Sequence, residues 1–407
     1  MHRSFLFLQG PCTPFFSQLA QRLNRDGHAV HRINFSSGDT LYWQHPSALH
    51  FREQKAFFKT YLEKTYRDFG ISDQVLFGDR RAFHKIAVEV AKMYGIRTHV
   101  FEEGYFRPFW ITLEREGVNA HSLLPRDPQW YKEASLHLSE PEPTERFHSS
   151  FRIRAMHDVV YHVAGMLNPL LYPHYRTHAP VIAPIEYLGY MKRFSLLRMI
   201  KKREHKRIDA LITSKQPYFV LPLQLNSDAQ IRDHSPFSHM GEVIEHVGAS
   251  FAKHAPSDAH LVIKNHPLDM GFMPYREMIQ ACARHYGLEG RMHFFDDGNL
   301  TLLFQHASGV VTVNSTSGLV SLEYGIPTIT LSDPIYNLQG LTFQSDLDAF
   351  WREPTPPNLE FFTHFRKVVM HATQINGGFY CAKGIDLAVE NANRVLVANT
   401  SPLEMLL

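Results

Sequence analysis

Gly309-Val310-Val311-Thr312-Val313-Asn314-Ser315-Thr316-Ser317-Gly318-Leu319-Val320-Ser321-Leu322-Glu323-Tyr324-Gly325-Ile326-Pro327-Thr328-Ile329-Thr330-Leu331 is the stretch whose reading decides the fold. Gly309 to Val313 reads as a buried parallel strand, and Thr328 to Leu331 as a second one, with a short helix-period segment between them. Strand, small-hydroxyl turn, helix, strand is the order that aims backbone N–H groups and the positive end of a helix dipole at an anion. Asn314, Ser315, Thr316 and Ser317 add side-chain donors at that turn. Glu323 falls about a turn and a half inside the helix, where a carboxylate can reach a ribose. A plain N-cap would account for one Ser or Asn; four polar residues exceed what one cap requires.

Working outward, the same half holds three more strand patterns: Tyr218 to Gln224, Leu261 to Pro267 and Met292 to Phe295. Helix patterns at about Met240 to Lys253, Pro274 to Tyr286 and Leu300 to His306 alternate with them. The first half repeats the scheme. Its strands are Phe5 to Leu8, Ala29 to Phe35, Gln74 to Phe77 and Thr98 to Phe101, and its helices are Pro14 to Asp26, Glu53 to Phe69 and Arg81 to Tyr94. Such alternation predicts a doubly wound parallel sheet in each half, with ligands gathered at the carboxyl ends of the strands. Between the halves, from about Pro125 to Ser214, strand alternation stops and the text turns aromatic and basic. The expected organisation is therefore 1–124, 125–214, 215–357 and a pair of terminal helices in 358–407. Two Rossmann-like lobes of this kind form the GT-B arrangement of glycosyltransferases, whose active site is an interlobe cleft.

Composition bounds the reading. A chain of 407 residues is too long for one ordinary core. Its 44% hydrophobic and 20% charged content describes a globular protein, and no apolar run approaches the length of a membrane span. A net charge of +2 makes no global demand for nucleic acid. Cys12, Cys282 and Cys381 form neither a metal spacing nor a disulfide framework, which fits a reducing cytoplasm. The start of the chain reads as a first strand and not as a signal peptide. No GxGxxG loop, GK[ST] loop or GxSxG elbow is present, which argues against dinucleotide enzymes, P-loop NTPases and serine hydrolases.

Four constellations carry chemistry. Lys264-Asn265-His266-Pro267 ends a strand in the same half as the hydroxyl turn, so that His266 can donate to a phosphate. Glu102-Glu103-Gly104 ends a strand of the first half, where an acid can serve as base or nucleophile; Glu102 can equally bond Arg107. Gln224 and Asp228 follow the first strand of the second half, facing a cleft if the loop curls back, or capping a turn if it does not. Two carboxylates meeting across a sugar suit double displacement. Finally, Met191 to Arg207 interleaves eight Lys and Arg with Phe194, Leu197, Met199 and Ile200, the pattern either of a membrane-surface helix or of a solvated charged face.

Together these motifs resemble the capsule polysaccharide biosynthesis proteins of Gram-negative bacteria, of the KpsS and LipB type, from Phe5 to roughly Tyr336. The resemblance is carried by Phe7-Leu8-Gln9-Gly10-Pro11 with Pro14-Phe15-Phe16, by Arg32-Ile33-Asn34-Phe35-Ser36-Ser37-Gly38-Asp39, and by Phe101-Glu102-Glu103-Gly104-Tyr105-Phe106-Arg107-Pro108. Pro222-Leu223-Gln224 with Asp228, Asn265-His266-Pro267 and the Asn314 to Pro327 stretch complete it. It implies a retaining β-Kdo transferase that moves 3-deoxy-D-manno-octulosonic acid (Kdo) from CMP-Kdo to a phosphatidylglycerol or its lyso form. It further implies a protein peripheral on the inner membrane, with no metal or cofactor, working beside a second Kdo transferase and the capsule export complex. On this resemblance His266 and Asn314 to Ser317, with Gln224 and Lys264, hold the donor, Glu323 meets the ribose, and Glu103, Asp228 and Glu102 are the candidate acids. The rivals are another nucleotide-sugar enzyme on the same frame and a non-catalytic capsule assembly factor.

Overall fold

The computed structural model describes residues 2–43, 45–140, 144–176, 183–226, 231 and 235–407. In chain order its elements are β1 (Ser4–Phe7), α1 (Phe15–Arg25), β2 (Ala29–Asn34), α2 (Ser37–Leu41), β3 (Ala48–His50), α3 (Phe58–Phe69), β4 (Asp73–Phe77), α4 (Ala82–Tyr94), β5 (Arg97–Glu103), β6 (Trp110–Arg115), α5 (Pro128–Leu136), α6 (Phe151–Gly165), α7 (Asn168–Leu171) and α8 (Ala183–Thr213). There follow β7 (Tyr218–Pro222), α9 (Met240–His254), β8 (His260–Lys264), α10 (Tyr275–Tyr286), β9 (Met292–Phe295), α11 (Leu300–Gln305), β10 (Gly309–Thr312), α12 (Ser317–Glu323), β11 (Thr328–Thr330), α13 (Leu347–Phe350), α14 (Leu359–Thr373), β12 (Gln374–Asn376) and α15 (Ala382–Val397). They sort into two compact units: residues 1–125, 134–178 and 366–407 in one, 126–133 and 179–365 in the other.

The first unit is built on a sheet whose order among the described residues is β12-β6-β5-β4-β1-β2-β3. β1 runs parallel to β2 and β4, with Phe5 opposite Val30 and Asp73, and β4 runs parallel to β5. The alternation of strand and helix produces this parallel core as expected. α1 turns Phe15, Phe16, Leu19 and Leu23 inward, where they meet Ala388 and Leu396 of α15. Gly70 and Gly95 close α3 and α4 in the left-handed conformation, at φ 55° and 64°, which glycine alone adopts without cost.

Three strands of the first unit depart from the sequence reading, β3, which pairs parallel with β2, among them. β6 returns antiparallel along β5, with Glu103 opposite Ile111, and β12 pairs antiparallel with β6. The hairpin forms where Gly104 lets the chain double back tightly: a Cβ there would stand 2.1 Å from the carbonyl oxygen of Trp110. The segment 125–214 is shared between the units, and 366–407 completes the first unit's core, because β12 supplies its edge strand and α15 covers α1.

The second unit holds an all-parallel sheet of order β11-β10-β7-β8-β9. Val220, Val262, Val310 and Ile263 are fully buried, as the near-continuous apolar runs of a two-sided sheet demand. One face packs Phe219 against Phe251, Phe350 and Trp351; the other packs Val220, Val262 and Val310 against Ile208 and Leu211 of α8 and Phe304 of α11. Since all five strands run the same way, Asn314, Gln224, Asn265 and Asp296 follow the carboxyl ends of neighbouring strands along one edge.

Candidate functional site

At the end of β10 the chain enters α12 through the hydroxyl turn. The side chain of Thr316, at the N-cap, makes no capping bond. Ser315 takes that place: its Oγ accepts the N–H of Ser317 at 3.2 Å and the hydroxyl of Ser317 at 2.9 Å, and its carbonyl accepts the N–H of Gly318 at 2.9 Å. Ser315 is itself held, its N–H donating to Thr312 Oγ1 at 3.3 Å and its carbonyl accepting the Tyr336 hydroxyl. Gly318 is what lets Tyr336 approach, since a Cβ would fall 2.4 Å from that hydroxyl oxygen. The turn is thus a rigid run of short hydroxyl side chains at a helix start, with the N–H groups of Ser315, Ser317 and Gly318 bonded to protein oxygens.

Gln224 is buried at the end of β7 and donates to Asn314 Oδ1 at 3.0 Å, while its Oε1 accepts the Asn314 N–H at 3.4 Å. This reciprocal pair ties the β7 and β10 ends together. One strand further, His266 N–H donates to Asn265 Oδ1 at 2.8 Å, and His266 Nδ1 accepts the N–H of Leu268 at 3.1 Å. In the neutral ring, that acceptance assigns the proton to Nε2.

The other predicted residues fall elsewhere. Lys264 is buried, its Nζ donating to the carbonyls of Asn265 and, at 3.5 Å, Asp296. It braces the β8 and β9 ends, and burial pulls its pKa down to about 8. Glu323 is the last residue of the seven-residue helix and exposed, about 9 Å along the axis from Ser317 at 1.5 Å per residue. The helix carries Glu323 to the end away from the turn. Asp228 lies outside the described residues.

In the first unit, Glu102 and Glu103 are the last residues of β5. Glu102 Oε1 accepts the N–H of Glu103 at 3.0 Å, and Glu103 Oε1 lies 3.5 Å from Arg154 Nη1 of α6. Arg107 instead donates to the carbonyl of Gly104 at 3.2 Å. Arg154 also stacks over Tyr380, so Glu103 sits in a half-buried cation–aromatic corner.

One hub escaped the sequence reading. Asp296, buried after β9, accepts from Asn265 Nδ2 at 3.1 Å, lies 3.0 Å from both Arg193 Nη2 and Arg276 Nη2, and donates its own N–H to Glu204 at 3.1 Å. Burial works to raise its pKa, but Asn265 and Arg193 outweigh it and hold the carboxyl below its usual range. The signal was present: an acid directly after the apolar run Met292 to Phe295, and Arg193 and Glu204 eleven residues apart on one helix face. No three His, Cys, Asp or Glu of the described residues could together hold a metal.

A family model described as capsule polysaccharide biosynthesis protein matches residues 72–380. The chain is similar to the capsule polysaccharide modification protein LipB of Neisseria meningitidis serogroup B, at 37% identity over 391 residues, covering 93% of this chain and 91% of that protein. It is similar to the capsule polysaccharide export protein KpsS of Escherichia coli, at 34% identity over 380 residues, covering 93% and 97%. Among solved structures it is similar to the beta Kdo 2,7 transferase of Thermosulfurimonas dismutans KpsC, at 13% identity and a TM-score of 0.45, covering 97% of this chain and 100% of that one. The chain belongs to the capsule polysaccharide biosynthesis protein family.

Proposed function

We propose that this protein is a retaining glycosyltransferase that moves Kdo from CMP-Kdo to a phosphatidylglycerol-type lipid, starting the Kdo linker of a capsular polysaccharide. The observation that carries the reading is the alignment of the Ser315–Ser317 turn, the Gln224–Asn314 pair and the Nε2 donor of His266 along neighbouring strand ends of one sheet. Such an array matches a substrate with two anions, the phosphate of CMP and the carboxylate of Kdo. In the reaction, a carboxylate attacks the anomeric carbon, the bond to the CMP phosphate oxygen breaks, and CMP leaves with the electron pair. The acceptor hydroxyl then displaces the carboxylate and gives its proton to a second carboxylate acting as base. Glu103, Asp228 and Glu102 are the candidates for these roles. The protein works at the cytoplasmic face of the inner membrane, beside a second Kdo transferase and the export machinery, without a metal or cofactor.

A second reading, a non-catalytic assembly factor, is favoured by the export role in the name of the Escherichia coli relative. Incubation with CMP-Kdo, CMP-sialic acid or UDP-sugars and a dispersed phosphatidylglycerol, with released nucleotide as readout, separates the readings. The proposal expects CMP release from CMP-Kdo alone, lost in Glu103→Ala or Asp228→Ala. Folded variants of both residues that retain full transfer overturn the catalytic assignment.

A further inference from the structure

A surface helix ordinarily turns its apolar stripe to the core and its polar side to water. α6 does the reverse. Its polar residues face the protein: Tyr161 bonds Ser36 at 2.9 Å and Gln9 at 3.0 Å, His157 bonds the Tyr42 hydroxyl at 2.8 Å, and Asn168, at the start of α7, accepts the N–H of Ser37 at 2.8 Å. The opposite side, through α7, is a stripe of Met156, Val159, Val163, Met166 and Leu170, spaced three and four apart. It is exposed to 58% at Val163, 77% at Met166 and 80% at Leu170.

In the other unit, α8 also turns polar groups inward: the charged Arg193 and Glu204, at 6% and 0% exposure and engaged with Asp296, are buried alongside Ile208 and Leu211, which pack on the sheet. The outward residues are Leu188, Met191 and Met199, with Lys192, Arg198 and Lys201 among them. Between Phe151 and Arg176 the chain carries three Arg and a single acid, Asp158. Apolar side chains beside cations, with the polar side spent on the protein, fit a helix lying in the headgroup layer of an anionic bilayer. Among the described residues no helix is long and apolar enough to cross a membrane, so the contact is made flat on the surface.

We infer that the outward faces of α6–α7 and of α8 are each lipid-docking surfaces for an anionic bilayer. The inference rests on the lipid-acceptor reading for its purpose and on the burial pattern for its support. The test is co-sedimentation of the full-length protein with vesicles of phosphatidylcholine alone or mixed with phosphatidylglycerol. The expected result is partition onto the anionic vesicles, weakened at least tenfold by the double change Val163→Asp and Leu170→Asp and, separately, by Lys201→Glu with Lys202→Glu. Circular dichroism and CMP titration verify that each variant is folded. Wild-type protein that stays in the supernatant, or variants that partition unchanged, overturn the inference. So does a dimer in sedimentation velocity that Val163→Asp with Leu170→Asp abolishes, because a second copy then covers the stripe. Vesicle binding without transfer to lipid leaves the inference standing and sinks the acceptor reading; transfer to a short-chain dispersed phosphatidylglycerol without vesicle binding does the opposite.

Discussion

His266 and Lys264 stand two residues apart on one strand end and do different work. His266 accepts a loop N–H at Nδ1, which turns its ring proton to Nε2, whereas Lys264 spends its ammonium on two carbonyls of its own loops. Asp296 is the residue on which that edge depends. Replacing it by Ala takes from Arg193 its 3.0 Å carboxylate and leaves Asp269 at 3.8 Å, and breaking a buried pair in this way costs on the order of 3–5 kcal/mol; urea unfolding of Asp296→Ala measures it, and a loss under 1 kcal/mol contradicts the network. The His260–His293 pair supplies a pH dependence. Their rings stack 5.0 Å apart and share a 2.7 Å hydrogen bond, and burial, with His260 next, lowers the His293 pKa to about 4. A folded-state pKa below the unfolded value of about 6.5 means stability present above pH 6.5 and lost as pH falls toward 4. The urea midpoint should therefore drop between pH 7.5 and 5, and His293→Gln should flatten part of that slope; a wild-type midpoint that stays level or rises contradicts the assignment. At this scale the Asn265-His266 motif and the hydroxyl turn were legible, since both are local. The Gln224–Asn314 bond joins residues 90 apart, and nothing in the spacing announces that one candidate ligand-holder is spent on another.

Among elements, the β5–β6 hairpin positions the acids. Gly104→Ala drives a Cβ into the Trp110 carbonyl and should cost about 1–3 kcal/mol, as overpacking does, with hydrogen exchange rising first at 101–112. Unchanged exchange there removes the reason given for the hairpin. The buried parallel strands were readable from their apolar runs, and α1, α4 and α10 from their 3.6-residue period. β6 and β12 were not, because a short antiparallel return has no crossover helix to mark it, and β12 finds its partner 262 residues away. For α6 the sequence carries an apolar stripe at three- and four-residue spacing, but nothing in that spacing tells that it faces away from the protein.

For the whole molecule, the long-range event is the return of 366–407 to the first unit. Arg3 donates to the carbonyls of Leu396 and Ala398, and Leu396 is fully buried against the α1 cluster. Leu396→Ala should cost about 2–5 kcal/mol and speed exchange in β1 and α1; protection unchanged in both would show that the C-terminal helix is not part of that core. Two alternating halves were visible in the sequence, but the allocation of the last forty or so residues to the first half was not, since it depends on packing between chain ends. The central claim is that the second unit binds a cytidine nucleotide through the hydroxyl turn and His266. Calorimetric titration of CMP into the full-length protein tests it most directly: saturable one-site binding is predicted, weakened at least tenfold by His266→Ala and by Ser315→Ala with Ser317→Ala, and no heat from the folded wild type, or equal affinity in the variants, contradicts it.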